Sequence, residues 1–425
     1  MLKRFFFFVM VVLPCALWSQ GNERPFYKIF VRIEPNMHQI DCKFEANNPT
    51  NPGFYLHSAL KISSLTVDGK PASFHEEQYA KRVIDAVVDS QFVVEYSGVI
   101  ADTANGVNMI QPDLVELALY SAWYPIIDNA KQFEFELTLD LPEGMTTVTN
   151  GRLMNQEEHS GRVVSVWHSF QLEFDIAMLA SPKLKTMALE KGKTKVQFYY
   201  DLIPESVILA KKDSLVHGME RLTQWYGKST LPGQLRFVYS PRGGWGYSRI
   251  PLFVTPQAYA LSQINQPLGE ARDLHGSFHE MSHFWWLIAD TRTTNDWINE
   301  GLAEYSAFRL SEASFGKAFA DTLLTEYRNH AANCATKTPI VETASDSRDR
   351  YVNRYEKTTL MFVKARQMYG EAELDDVLAS LYRQFAKKRS ATTEAFLQEV
   401  ENKLGSQPRA WFETILTNPE WSSLE

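Results

Sequence analysis

Between residues 132 and 141 apolar and polar side chains alternate without a break. Phe133, Phe135, Leu137, Leu139 and Leu141 are interleaved with Gln132, Glu134, Glu136, Thr138 and Asp140. A period of two places one set on each face of a strand. Residues 28–34 (KIFVRIE), 91–96 (QFVVEY), 170–176 (FQLEFDI) and 195–200 (KVQFYY) read the same way. Turn signals such as Asp68-Gly69 and Asn150-Gly151 separate the runs. Residues 21–204 are therefore expected to form an antiparallel β domain.

The period changes near Pro204-Glu205-Ser206. Residues 206–226 read as a helix, and two short strand-like runs follow at 235–239 and 252–254, separated by the Gly-rich RGGWG of 242–246. Helical periodicity then dominates over 271–289, 298–311, 315–333, 354–369, 373–387 and 392–404. The expected architecture is α+β: an N-terminal antiparallel β domain, then a mostly helical domain over 205–425 with a small sheet at its start.

The chain begins differently. Lys3 and Arg4 precede an apolar run from Phe5 to Trp18, closed by Ser19-Gln20-Gly21-Asn22. Fourteen residues with Pro14 among them fall short of the ~20 needed to cross a bilayer. A charged start, a short apolar middle and a polar exit read as a signal peptide over residues 1–20, which predicts a periplasmic or extracellular protein. An uncleaved anchor is the alternative. No later segment is long and apolar enough to span a membrane. Export permits a disulfide between Cys42 and Cys334, but nothing in their spacing decides whether one forms. The net charge is −8, the reverse of the basic surplus of a nucleic-acid binder.

Residues 279–283 read HEMSH. On a helix His279 and His283 project from one face, about 40° apart, and their imidazoles can share one ion. Glu280 lies one step round, beside the position left open for a reacting water. This is the two-histidine zinc pattern with an adjacent general base. A third ligand should come from a second element, and residues 295–305 (NDWINEGLAEY) supply Glu300, with 16 residues between it and His283. That gap suits a helix end, a loop and a new helix. Glu304, one turn on, can accept the second ring N–H of a liganding histidine. His275 is a competing ligand, although with Glu300 present it would overfill a tetrahedral site.

HEMSH followed by WINEG resembles the aminopeptidase N-like zinc metallopeptidases, with their H-E-x-x-H, an 18-residue gap and N-E-G. Tyr355-Glu356-Lys357 matches that family's Y-E-K segment, whose tyrosine stabilises the transition state. WYPIID at 123–128, FEFELTLDLPEG, TNG and TTEAFLQEVENK at 392–403 extend the similarity over most of the chain. The resemblance implies a thermolysin-like catalytic domain and one zinc ion held by His279, His283 and Glu300. It also implies Glu280 as general base, Tyr355 as oxyanion donor, and peptide substrates.

Two departures stand out. The gap is 16 rather than 18, which suggests a trimmed loop between the helices. The G-x-M-E-N segment that holds a substrate's free amine is replaced by PRGGWGYSR, and no acid occurs between residues 235 and 269. An amine there would meet Arg242 and Arg249. Glu116, just before WYP, is a substitute anchor by analogy, and Gly243 and Gly244 are candidates for a substrate-lining edge where backbone must come close. The expectation is a zinc metallopeptidase, possibly an aminopeptidase by resemblance. The alternatives are an endopeptidase, another amide or epoxide hydrolase on the same scaffold, and a peptide-binding protein without catalysis.

Overall fold

The computed structural model describes residues 24–49, 53–77, 81–100, 107–127, 132–191, 194–231, 233–334 and 337–420. The expected signal segment, residues 1–20, lies outside them. Among the described residues no helix is long and apolar enough to cross a membrane. Cys42 and Cys334 are both unbridged.

The alternating run at 132–141 becomes the strand Glu134–Pro142, with Phe135, Leu137, Leu139 and Leu141 all buried. It lies inside an eight-stranded sheet beside Phe26–Glu34, whose own side chains alternate buried and exposed. These two central strands pair in parallel, whereas the remaining ladders of the sheet are antiparallel. Two four-stranded sheets complete this half. One of them contains Leu114–Leu117 and Met178–Ser181.

Residues 170–176 do not form the strand that their pattern predicts. Only an isolated bridge joins Phe133 to Glu173. The burial does not follow the alternation either: Glu173, Asp175 and Ile176 are buried while Phe174 is 42% exposed. Asp175 is held there by a long-range pair with Arg249, taken up below.

The fourth sheet carries five strands in the order Lys185–Lys191, Thr194–Tyr200, Gln234–Ser240, Leu252–Pro256, Tyr247–Arg249. By hydrogen bonding, therefore, residues 185–200 go with the helical half, and Val196, Phe198 and Tyr200 pack in its core. Nine helices follow or flank this sheet among the described residues: α1 (Glu205–Tyr226), α2 (Gln257–Ile264), α3 (Gly269–Ser282), α4 (Trp297–Phe315), α5 (Lys317–Ala332), α6 (Lys357–Tyr369), α7 (Glu371–Phe385), α8 (Thr393–Leu404) and α9 (Ser406–Thr417). Helix α4 is buried on every side from Trp297 to Ser311 except at Glu300, as expected of a helix through the centre of a domain. Helices α2 and α9 have no counterpart in the periodicity.

Helix α3 stops at Ser282, seven residues before the end that the pattern suggests. The aromatic run beyond it is pinned as a turn. Trp285 Nε1 donates to Gly227 O at 2.8 Å, and Ser229 Oγ donates to Phe284 O at 2.9 Å. All three side chains, Phe284, Trp285 and Trp286, are core.

Candidate metal centre and cleft

Helix α3 carries His279 in its last turn, and His283 is its C-cap residue. Each ring has its tautomer fixed from behind. His279 Nδ1 lies 2.6 Å from Glu304 Oε2, and His283 Nδ1 lies 3.0 Å from Trp286 O. Both partners only accept, so each Nδ1 donates and each Nε2 faces forward, able to present a lone pair when an ion takes the place of a proton. The turn after α3 thus has a purpose, because it brings the Trp286 carbonyl back to His283.

The two Nε2 atoms converge on one oxygen. Glu300 Oε2, in the first turn of α4, stands 3.4 Å from His279 Nε2 and 3.5 Å from His283 Nε2. Ligands about 2.0–2.1 Å from a tetrahedral ion are themselves about 3.3 Å apart. The donor set and its spacing therefore fit zinc, and these three residues form a cluster able to hold an ion. Burial opposes charge on His279, yet Glu300, Glu304 and Glu280 raise its pKa well above the usual value. Burial likewise opposes ionisation of Glu300, but the two histidines hold it well below the carboxylate range. The pocket favours a positive charge.

Glu304 is a hub. Its Oε1 accepts from Tyr327 OH and lies 3.0 Å from His275 Nε2. The other nitrogen of His275 sits 2.9 Å from Ser311 Oγ. His275 is therefore committed to Glu304 and Ser311 and is not one of the converging ligands.

Glu280 lines the cleft, and its Oε2 has no hydrogen-bond partner. Tyr355 lies flat on the His279 ring, with centroids 5.3 Å apart and planes at 12°. Burial, reinforced by the charge of Glu300, raises its pKa strongly, so the hydroxyl stays protonated as a donor. Tyr355 belongs to a short π-helix, Val352–Glu356, a rare form that recurs at functional sites.

The sequence did not expose what holds these parts in register. Asn299 is fully buried; its Oδ1 accepts from Ile288 N and Ala289 N, and its Nδ2 donates to Asp296 Oδ1 at 2.9 Å. Asp296 in turn meets Arg354 at 3.0 Å, the residue before Tyr355. Its pKa is pushed up to about 7 by burial and by the charge of Glu300. Gly301 allows the close approach, since a Cβ there would lie 2.7 Å from Arg354 O and 2.3 Å from Thr358 Cγ2. The N-E-G triplet was the available signal: Asn299 ties the loop, Glu300 reaches the ion site, and Gly301 admits the Tyr355 segment.

The cleft has a volume of about 970 Å³ and is walled on one side by Trp245–Ile250. This wall includes Tyr247–Arg249, the edge strand of the five-stranded sheet. Gly243 and Gly244 belong to the turn before it. Arg242 Nη1 donates to Gly243 O and Trp245 O, both at 2.8 Å; Gly244 has φ +80°, and Gly243 faces open space. The close approach falls instead at Gly246, where a Cβ would come within 2.7 Å of Val254 O.

Glu116 is not offered to the cleft. It is wholly buried, accepting from Arg242 at 2.6 and 2.8 Å and from Ser240 Oγ at 2.5 Å. Arg249 is likewise matched, to Asp175 at 2.5 Å and Tyr120 OH at 2.9 Å. The two arginines expected to meet a substrate amine are thus each neutralised by an acid of the β half.

No family model matches this chain, and no curated protein does. Solved structures do. The M1 zinc metallopeptidase of Deinococcus radiodurans superposes with a TM-score of 0.72 at 14% identity, covering 95% of this chain and 96% of that one. A variant of it bound to Tyr-Ser-Ala gives the same score over 94% and 95%. A two-domain M1 zinc metallopeptidase bound to L-arginine gives 0.71 at 15% identity, over 92% and 93%. The fold is that of the two-domain M1 zinc metallopeptidases. At such identity the likeness is one of fold, and chemistry rests on the residues described above. In this fold, all the converging donors come from α3 and α4, and the β half closes the far wall of the cleft through Tyr120, Gln171, Glu173 and Phe174.

Proposed function

We propose that this chain is a zinc-dependent hydrolase of peptide bonds. The observation that carries it is the convergence of two forward-facing Nε2 atoms and Glu300 Oε2 at 3.4 and 3.5 Å, beside Glu280 and Tyr355 in a cleft. His279, His283 and Glu300 would hold one zinc ion, which supplies a Lewis acid and lowers the pKa of water at its open position to about 7.

The side chains then divide the work. Glu280, which lines the cleft beside the ion site, takes the proton of the attacking water and returns it to the leaving amine. Tyr355 donates its hydroxyl to the oxyanion that forms on the carbonyl. Glu304 and the Trp286 carbonyl fix the two imidazoles, and Asn299, Asp296 and Arg354 keep Tyr355 in register. The edge strand Tyr247–Arg249 offers a place for an extended peptide to lie. The solved neighbours support peptides as substrates, one of them being bound to Tyr-Ser-Ala. Export by residues 1–20 is part of the same proposal and rests on the sequence alone.

The test is metal content by mass spectrometry on the purified protein, with turnover of a mixed peptide library before and after chelation. The expected result is about one zinc per chain, with hydrolysis that is lost on chelation and restored by zinc. Bound zinc without turnover would favour a binding protein, and a protein that takes up no metal would remove the proposal.

A further inference from the structure

We propose that Glu173 and Arg389 grip an uncharged peptide unit of the substrate, so that this hydrolase cuts inside chains and needs no free amine. This rests on the hydrolase reading and adds a substrate class to it.

Glu173 is 2% exposed, lines the cleft, and has one carboxyl oxygen, Oε1, with no hydrogen-bond partner. Such an orphan in a built site points to a ligand that completes it. Its backbone is fixed by paired hydrogen bonds with Phe133 at 2.8 and 2.9 Å. Arg389 donates to the residues just before it, to Gln171 Oε1 at 2.8 Å and Leu172 O at 3.3 Å, and lines the same cleft. Three of the five guanidinium N–H groups remain beyond those two bonds. Arg389 also has a left-handed backbone, φ +50°, a conformation that costs a non-glycine residue.

The electrostatics reject an ammonium. Burial, only partly opposed by Arg389, pushes the Glu173 carboxyl above its ordinary value, which favours the protonated form. In that form the carboxyl offers one O–H and one acceptor oxygen, which complement the C=O and N–H of a peptide unit. The neighbouring guanidinium adds a second donor for a carbonyl and repels a terminal amine. Of the other acids of the region, Glu116 is paired with Arg242, Asp175 with Arg249 and Glu304 with His275 and His279, while Glu280 and Glu300 belong to the reaction centre. The space also continues past this point. A second cavity of about 450 Å³ shares Phe174, Leu287, Thr291, Arg292 and Arg389 with the cleft, so further substrate residues have room beyond the grip.

The experiment compares a defined peptide in free-amine and N-acetylated forms, with products mapped by mass spectrometry, for the zinc-loaded enzyme and its Glu173→Gln, Glu173→Leu and Arg389→Leu variants. The expected result is internal cleavage of both forms with kcat/KM within about threefold of each other. Glu173→Gln, which keeps a donor and an acceptor, should raise KM clearly less than Glu173→Leu does. Glu173→Leu and Arg389→Leu should raise KM about tenfold for both forms with kcat little changed, as loss of one or two neutral hydrogen bonds implies. Stepwise removal of N-terminal residues with the acetylated form untouched would overturn the inference. So would Glu173→Gln being as damaging as Glu173→Leu, the mark of a charge anchor. Should the leucine variants fail to fold, the parent enzyme's cleavage of the two peptide forms decides the matter alone. Failure of the zinc-loaded parent to cleave any peptide would instead sink the hydrolase proposal beneath it.

Discussion

On the helical wall of the cleft, His279 Nε2, His283 Nε2 and Glu300 Oε2 converge on one point, and among the described residues no Lys or Arg is paired with them. On the wall built between the two halves, Glu116 and Asp175 are just as deeply buried, but each meets an arginine at 2.5–2.6 Å. The comparison separates two uses of buried charge. A pair closed within the chain has its charges satisfied internally and has little left to offer a ligand. A converging set with surplus acceptors is completed only from outside, by an ion and by what that ion activates.

The strongest way to break this contrast is at Glu280, the one carboxylate beside the donor cluster with an oxygen unpartnered. Glu280→Gln should retain zinc and lose about 100- to 10,000-fold in kcat, the range for removal of a general base. Metal content and turnover measured on the same sample check it. Retained turnover would place Glu280 with the structural acids.

The opposite wall should respond in stability and not in chemistry. Glu116→Gln leaves Arg242 buried without its counter-charge, and breaking such a pair by removing one partner costs about 3–5 kcal/mol. Denaturant unfolding should show that loss, while kcat of the folded fraction stays near the parent value. A fall in kcat without a loss of stability would mean that Glu116 reaches substrate after all.

How much of this contrast was legible in the sequence follows from the range of the interactions. The helical wall is local. HEMSH and NEG lie within a single helix–turn–helix, so spacing alone indicates that His279, His283 and Glu300 can meet and that Glu304 follows one turn later. The interdomain wall is not local. Glu116 finds Arg242 and Asp175 finds Arg249 across the two halves, and no periodicity announces such a partner. Residues 170–176 show the consequence. Their alternation predicts a strand with Phe174 inside, yet Glu173 and Asp175 are buried beside Ile176 and Phe174 is exposed, with Asp175 held by Arg249 from the other half. The end of α3 was hidden for a similar reason, since its aromatic run continues a helical pattern but is anchored to Gly227 and Ser229. Helix α9 did carry a signal, with Pro408 near its start and Phe412, Ile415 and Leu416 on one buried face.

Tyr355 sharpens the comparison from within the site. It touches the metal wall through His279 but is held in place by Arg354, which is paired to Asp296 as closed pairs are. Tyr355→Phe keeps the ring and the stacking and removes only the hydroxyl. Loss of one oxyanion donor lowers kcat by about 100- to 1,000-fold, with KM little changed because the interaction forms in the transition state. An unaltered kcat would leave Tyr355 as a packing residue.

The smallest effect is expected one shell behind the ligands. Glu304 does not touch the ion position; it acts by accepting the Nδ1–H of His279, and it is itself held by Tyr327 and His275. Glu304→Gln keeps shape but weakens the acceptor and can present an N–H where an oxygen is required, which disfavours the tautomer that directs Nε2 forward. Replacement of such partners typically costs about 10- to 100-fold in metal affinity. Competition with a chelator of known affinity measures it, and restoring turnover with added zinc distinguishes weaker binding from a damaged catalytic step. If zinc affinity were unmoved, the His279 ring would be oriented by packing against Tyr355 alone, and Glu304 would belong with the closed pairs of the opposite wall.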